Sequence, residues 1–189
     1  GLQVTRLGLG GVGVGGGTTL TPPPFSSQAD AETMVRRCLD LGVHYFDTAP
    51  LYGRGLSERR LSAILPGLPR DSFVISTKVG RVLDPVPTEK VGTLAGPGPQ
   101  DVDGVFNFSR DGVLRSLDES LERLKLDRVD ILLIHDPDNH YDQAFEEAYK
   151  ALAELRSQGV VTAIGAGMNQ WEMEARFARE GDFDCFLLA

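Results

Sequence analysis

The chain alternates between short apolar segments with strand character and longer segments whose apolar residues recur at helical spacing. Residues 31, 34, 35, 38 and 39 form one helical face, and residues 129–134 are almost unbroken apolar sequence. The second pattern is typical of a parallel strand that is covered on both faces. Six strands alternating with five helices predict an α/β fold with a parallel sheet. Either a doubly wound sheet or a barrel fits this count, and an eight-unit barrel typically needs about 250 residues.

All 189 residues are assigned to one domain, because a chain of this length is more often one domain than two. Strands are expected at residues 6–14, 43–47, 73–78, 129–134, 160–165 and 183–188. Helices are expected at residues 31–39, 57–65, 109–124, 145–155 and 170–179. Ser57 is a candidate N-terminal cap for the second of these helices.

Residues 80–108 interrupt the alternation. The segment contains four prolines and five glycines and shows no apolar period, which predicts a long surface loop without regular structure. Loops at the carboxyl ends of strands carry the active sites of α/β proteins, so a lid or a binding loop is one interpretation. Val105, Phe106 and Phe108 near its end either line a substrate pocket or anchor the loop.

The composition argues against several classes of partner. Nineteen basic against 27 acidic residues give a net charge of −8, and such a field repels a phosphate backbone, so we expect no nucleic-acid partner. The apolar run at residues 131–134 is far too short to span a bilayer, so we expect no membrane partner. Two cysteines make no disulfide framework, and Cys38 and Cys185 are expected to be small core residues. A reduced, cytoplasmic protein is the default expectation.

Three glycines near the N-terminus match a nucleotide-binding spacing. Gly8, Gly10 and Gly13 satisfy the pattern G-x-G-x-x-G, which requires a helix to open at the third glycine and hold a pyrophosphate. Here the chain continues through further glycines and threonines into three prolines at residues 22–24. We therefore expect a flexible turn with no helix, and not a dinucleotide fold of this type.

Three consecutive core strands end in charged or titratable side chains. Asp47, Lys78 and His135 end the second, third and fourth predicted strands, and Tyr52 lies in the loop that follows Asp47. Each of them alone is more often a turn cap or a solvated group. Because the carboxyl ends of parallel strands face the same side, we expect the four to meet at one rim, and this joint placement indicates catalysis.

Two further histidines fall outside this rim. His44 precedes a strand, at the end opposite the rim, and is expected to be structural. His140 lies in an acidic loop and is expected to be solvated.

These motifs resemble those of a known family. Asp47-x4-Tyr52-Gly53, Ser76-Thr77-Lys78 and the strand ending at His135 look like the tetrad-bearing segments of the aldo-keto reductases. That family consists of (β/α)8-barrel oxidoreductases that use NAD or NADP. The resemblance covers essentially the whole chain, and residues 135–138 and 166–170 look most like the branch of D-threo-aldose (L-fucose) and L-galactose dehydrogenases. It implies hydride transfer between a nicotinamide and the carbonyl or lactol carbon of a small sugar or aldehyde.

The resemblance also implies a role for each of the four rim residues, and it implies no metal. Tyr52 would be the general acid/base, Lys78 would lower its pKa, Asp47 would hold Lys78, and His135 would orient the carbonyl. A phenol has a pKa of about 10. An ammonium about 4 Å away attracts the phenolate by about 4 kcal/mol at an effective dielectric constant of about 20, before desolvation opposes it.

Cofactor contacts are implied by the same resemblance. The residues that it places beside the nicotinamide are Gly10, Gly11, Val12, Asp47, Met168 and Asn169. Gly11 stands where threonine is common in the family. The family's Ser-Asn pair after strand five corresponds to Gly167-Met168-Asn169, which has no serine and has its asparagine one place later than in the commonest pattern.

The family pattern extends beyond six strands. Its strands seven and eight carry an aromatic residue that stacks on the nicotinamide and basic residues for the adenosine 2′-phosphate, and these 189 residues contain no counterpart. We therefore expect a (β/α)8 TIM barrel that is truncated at both ends, and weak NADP binding by this chain alone. The alternative is a non-catalytic binding or regulatory protein on the same scaffold, or an inactive fragment.

Overall fold

The computed structural model describes residues 1–17 and 27–189. Its strands, in chain order, are β1 (Gly8–Gly10), β2 (Tyr45–Asp47), β3 (Val74–Val79), β4 (Arg81–Pro85), β5 (Val102–Phe106), β6 (Ile131–His135), β7 (Ala163–Met168) and β8 (Cys185–Leu188). Six of them form a parallel sheet in the order β1-β2-β3-β6-β7-β8. A doubly wound sheet reverses its strand order at a switch point, whereas this order does not reverse. The architecture is therefore an incomplete (β/α)8 barrel, as predicted.

Helices separate the strands of this sheet. They are α1 (Gly11–Val14), α2 (Gln28–Asp40), α3 (Leu56–Leu61), α4 (Arg110–Leu124), α5 (Tyr141–Gln143), α6 (Lys150–Ser157) and α7 (Trp171–Glu180). A π-helical segment, Ala144–Tyr149, joins α5 to α6, and short 3-10 turns lie at Leu65–Gly67, Arg70–Ser72 and Thr88–Lys90. Within the described ranges, no helix combines the length and the apolarity that crossing a bilayer requires.

The two faces of the sheet have different surroundings. Phe46, Ile75, Leu132 and Ile164 lie on one face, are fully buried, and belong to the main core that the helices cover. On the other face a smaller cluster around Leu133 lines the barrel interior. Side chains alternate across a strand, so the residues in register with this second cluster point into the barrel.

The glycine-rich start of the chain differs from the prediction. The predicted strand at residues 6–14 is reduced to β1, and one turn of helix, α1, follows it directly. No helix opens at Gly13, the third glycine of the pattern, as expected; the four-residue turn α1 begins two residues earlier, at Gly11. The remainder of the predicted flexible turn, residues 18–26, lies outside the described part of the chain.

The prediction that residues 80–108 lack regular structure is also wrong. Strands β4 and β5 within this segment form an antiparallel pair, in register from Arg81 opposite Phe106 to Pro85 opposite Val102. Phe108 is fully buried and anchors the end of the segment, whereas Phe106 and Val105 are largely exposed. Pairing between residues this far apart leaves no short-range period in the sequence, which explains the missed hairpin.

Three local predictions change with the structure. Ser57 is not a cap, because α3 begins after Gly55, and the Ser57 hydroxyl accepts a hydrogen bond from Thr48 Oγ1 at 2.8 Å. His140 is not freely solvated: its ring centre lies 4.6 Å from that of Phe106. Cys38 and Cys185 are free thiols that are partly exposed, so neither is a fully buried core residue.

Candidate active site

The carboxyl ends of β2 and β3 place an ion pair inside the barrel. Lys78 Nζ donates to the two carboxylate oxygens of Asp47 at 2.9 and 2.7 Å and to the Thr48 carbonyl at 2.9 Å. Ser76 Oγ donates to Asp47 Oδ1 at 2.7 Å. Asp47 is 8% exposed and Lys78 is 1% exposed. Since an ammonium has three hydrogens to donate, all three have acceptors, and the lysine side chain is fixed in one position.

Tyr52 lies beside this pair, in the turn between β2 and α3. The Lys78 ammonium nitrogen is 4.6 Å from the centre of its ring. Burial raises the pKa of Tyr52 above its ordinary value of 10.0, and this effect outweighs the lowering by Lys78. The expectation that Lys78 lowers this pKa therefore describes only the smaller contribution. At neutral pH Tyr52 is a protonated phenol, which is able to donate its proton.

His135 faces Tyr52 from the end of β6. The two ring centres are 5.7 Å apart and the planes are nearly perpendicular, at 88°. Burial, with the positive charges of Lys78 and Arg81, holds the pKa of His135 well below its ordinary value of 6.5. The ring is therefore neutral at neutral pH and carries one N–H donor. Among the described residues, its buried Nδ1 has no hydrogen-bond partner.

The structure brings the four predicted rim residues together. Tyr52, Lys78 and His135 line one cavity of about 420 Å³. Asp47 does not line this cavity and lies behind Lys78, to which it is bonded. The arrangement combines a proton donor, a fixed cation and a neutral hydrogen-bond donor around one space.

The predicted cofactor residues divide into two groups. Val12, Met168 and Asn169 line the same cavity as Tyr52, whereas Gly10 and Gly11 do not. A Cβ on Gly11 would lie 2.6 Å from the Asp47 carbonyl oxygen, and the same distance from a serine hydroxyl of α3. Close packing therefore explains the glycine where the family commonly has threonine, and a side chain there would not face the cavity.

Arg54 was not identified from the sequence. It is 7% exposed, has a positive φ of 49°, and donates from Nε to Pro99 O at 2.6 Å and from Nη1 to Ala95 O at 3.0 Å. A third contact joins Nη2 to Gly96 O at 3.4 Å. Residues 95–99, which we call the strap, thus lie across one side of the cavity. The only sequence signal is an arginine between two glycines immediately after Tyr52.

Two carboxylates on the cavity wall were also not identified. Asp103 lies on β5 and Asp136 follows His135, and both line the cavity. Asp136 has a positive φ of 44°, its N–H donates to Gly167 O at 3.0 Å, and its carboxylate accepts from Arg81 at 3.2 Å. The position of Asp136 next to His135 was a usable signal, whereas Asp103 fell in the segment that was predicted to be irregular.

A buried network supports β3 from the helical side of the sheet. Glu58 is fully buried on α3 and accepts from Thr77 Oγ1 at 2.8 Å and from Arg123 Nε at 2.6 Å. Thr77 precedes Lys78 in β3 and points to the opposite face of the sheet. The network therefore fixes the strand that carries Lys78 without entering the cavity.

Comparison with known proteins gives a consistent result. The model of the aldo/keto reductase family matches residues 6–184. The chain is 40% identical over 196 residues to D-threo-aldose 1-dehydrogenase of a Pseudomonas species, covering 100% of this chain and 57% of that protein. It is 37% identical over 211 residues to pyridoxal 4-dehydrogenase of Microbacterium luteolum, covering 100% and 59% respectively. L-galactose dehydrogenase of Arabidopsis thaliana is 37% identical over 168 residues, covering 87% and 45%.

A solved structure matches in the same way. An aldo-keto reductase from Bacillus halodurans superposes with a TM-score of 0.77 at 23% identity, covering 99% of this chain and 54% of that one. At this identity the match shows the fold, and it confirms the predicted barrel architecture. The chain spans about half the length of the curated relatives that it matches.

Proposed function

The chain belongs to the aldo/keto reductase family, and from this premise we propose that the protein carrying it is an NAD(P)-dependent oxidoreductase. Its substrate is the carbonyl or lactol carbon of a small sugar or a related aldehyde. The relatives named above, two sugar dehydrogenases and a pyridoxal dehydrogenase, support this substrate range. Either NAD or NADP serves as the cofactor.

One observation carries the proposal: Tyr52, Lys78 and His135 line a single cavity, with Asp47 fixing Lys78 from behind. Catalysis of proton transfer requires a donor within reach of the reacting oxygen and a means of stabilising the charge that develops. The phenol supplies its function from the turn after β2, and the ammonium and the imidazole supply theirs from β3 and β6.

The residues present fit a nicotinamide on one side of this cavity. Val12, Met168 and Asn169 line it next to Tyr52. Gly167 forms part of the lining, and a Cβ there would lie 3.3 Å from Lys78 Cε, so the glycine keeps the space beside Lys78 free. When bound, the nicotinamide supplies or accepts the hydride.

The side chains of this chain would handle the proton. In the direction of reduction, the N–H of neutral His135 donates a hydrogen bond to the carbonyl oxygen and orients it. Tyr52 then donates its phenolic proton to that oxygen as negative charge develops there. The Lys78 ammonium stabilises the resulting phenolate, and Asp47 keeps the ammonium in place. In the direction of oxidation Tyr52 accepts the hydroxyl proton.

A panel assay tests the proposal. The protein that carries this sequence is mixed with NAD or NADP and with aldoses, lactols and simple aldehydes, and formation or loss of reduced nicotinamide is followed by absorbance. We expect turnover on at least one sugar. Binding of the cofactor without turnover on any member of the panel would favour the alternative of a non-catalytic protein on this scaffold, which the geometry of the four rim residues does not favour.

A further inference from the structure

The cavity that contains Tyr52 has carboxylates on its wall from two separate elements. Asp103 projects from β5 and is half-buried; among the described residues, its carboxylate accepts one hydrogen bond, from Gly104 N at 2.9 Å. Asp136 follows β6, and its carboxylate accepts a hydrogen bond from Arg81 Nη2 at 3.2 Å. Both retain acceptor capacity, because a carboxylate has about four lone-pair sites.

The cations that line the cavity already donate hydrogen bonds within the chain. In the described part of the chain these are Lys78 and Arg54. Lys78 donates to Asp47 and to the Thr48 carbonyl, and Arg54 donates to carbonyl oxygens of the strap. All three hydrogens of the Lys78 ammonium are therefore used, and three of the five N–H donors of Arg54 are used.

A third group points to a ligand that forms hydrogen bonds. His135 lines the cavity, is 5% exposed, and has a buried Nδ1 without a hydrogen-bond partner among the described residues. Buried polar atoms are nearly always satisfied in a working complex. The other ring nitrogen, Nε2, lies 3.6 Å from Asp136 Oδ2, so the histidine and this carboxylate border the same space.

From these contacts we infer that Asp103 and Asp136 bind hydroxyl groups of the substrate and make the site selective for uncharged, polyhydroxylated carbonyl compounds. Each carboxylate accepts O–H hydrogen bonds, which are stronger to a charged acceptor than to a neutral one. A phosphorylated or carboxylated sugar would place its negative charge near these two carboxylates, which repel it. The inference rests on the proposed function and specifies its substrate class.

The test compares two substrates in the protein that carries this sequence. One is an aldose, and the other is an aldehyde of the same chain length without hydroxyl groups. Asp103→Asn keeps an oxygen for Gly104 N and removes the charge. We expect this variant to raise KM for the aldose about tenfold, as for the loss of one hydrogen bond to a charged group, with kcat nearly unchanged. KM for the plain aldehyde should stay within about twofold.

Two further variants complete the design. Asp136→Asn keeps a residue that tolerates the left-handed backbone and should also raise KM for the aldose. Asp101→Asn changes an exposed carboxylate on the same hairpin and should leave both substrates unaffected. An equal effect of Asp103→Asn on both substrates, or no effect on either, would overturn the inference, as would a phosphorylated aldose that is preferred over its parent.

The same comparison is made by calorimetric binding of the aldose to the cofactor-loaded protein. If the unchanged protein turns over neither substrate, the proposed function fails, and the binding comparison still decides the inference. Weaker aldose binding by Asp103→Asn than by Asp101→Asn supports it, and equal binding refutes it.

Discussion

The ammonium nitrogen of Lys78 lies 4.6 Å from the centre of the Tyr52 ring. The Lys78 charge affects the neutral phenol and the phenolate of Tyr52 differently. Burial keeps the pKa of Tyr52 above 10.0, although the Lys78 charge attracts the phenolate and lowers this pKa by a smaller amount. The site is therefore arranged to hold a proton at rest and to stabilise its loss during reduction.

Removal of the Tyr52 hydroxyl tests this role. Tyr52→Phe should lower kcat for reduction by about 10²- to 10⁴-fold, because general acid catalysis contributes that much, while cofactor affinity stays close to that of the unchanged protein. Steady-state kinetics and fluorescence titration with the reduced cofactor give the two quantities. Tyr149→Phe removes a hydroxyl that accepts from Asp182 N and is not among the residues that line the cavity, so this variant should retain turnover. Full activity of Tyr52→Phe would remove this residue from the mechanism.

The pH dependence follows from the two shifted groups. The pKa of Tyr52 is raised above 10.0, so its proton is present throughout the neutral range and kcat for reduction falls only as pH rises through that raised value. The pKa of His135 is lowered well below 6.5, so the ring stays neutral until pH falls far below that value. A profile of kcat against pH should therefore be flat around 6.5. An inflection there that disappears in His135→Gln would contradict the assignment of a neutral imidazole.

Glycine packing at the start of the barrel gives a matched pair of variants. A Cβ at Gly11 would lie 2.6 Å from the Asp47 carbonyl oxygen, whereas a Cβ at Gly10 meets nothing within 4 Å. Gly11→Ala should lower the free energy of unfolding by about 1–3 kcal/mol, as overpacking does. Gly10 has an ordinary extended backbone, with φ −76°, so Gly10→Ala should leave the free energy of unfolding nearly unchanged. Urea unfolding measures both, and equal stabilities would show that the turn shifts without cost.

Much of the candidate site could be predicted from the residues at the carboxyl ends of the strands. Asp47 and His135 end β2 and β6, and Lys78 lies one residue before the end of β3. These strands are neighbours in a parallel sheet, and the topology of such a sheet carries its carboxyl ends to one side. The order of the strands in the sequence was sufficient to predict that these three residues lie close together, because apolar residues mark each strand. The net direction of the Tyr52 pKa shift could not be predicted from the sequence, since it depends on how much water the fold removes from the phenol.

The residues that were missed act over long sequence separations. Arg54 contacts carbonyls that lie 41 to 45 residues later, and Asp103 reaches the cavity through the pairing of β4 with β5. Neither contact leaves a periodic trace in the sequence. The glycines and prolines between those strands are also the residues that most often mark irregular structure, so the pattern favoured a loop.

The buried pair on the helical side of β3 should be important for stability. Arg123 and Glu58 are 8% and 0% exposed, and Arg123→Met would leave the Glu58 carboxylate buried without its cation. Removal of one partner of a buried pair costs about 3–5 kcal/mol. Arg110→Met, which breaks an exposed pair with Glu154, should cost at most about 1 kcal/mol. Unfolding in urea compares the two variants, and similar losses would mean that other groups or water stabilise the Glu58 carboxylate in place of Arg123.

The strap offers a test of local order that does not depend on activity. Arg54 donates to three of its carbonyls, and a guanidinium fork holds such a set better than an ammonium does. Arg54→Lys should therefore increase hydrogen exchange in residues 93–100 by about tenfold, which corresponds to the loss of one to two net hydrogen bonds at about 1 kcal/mol each. Exchange in α2 should not change. Arg59→Lys alters an exposed arginine on α3 and serves as the control.

The same variant has an expected effect on kinetics. Because Gly96 and Pro97 line the cavity, the looser strap should also raise KM for the substrate with little change in kcat. Unchanged exchange in Arg54→Lys would show that the strap is held by its packing against Gly16 and Gly53 and not by the arginine.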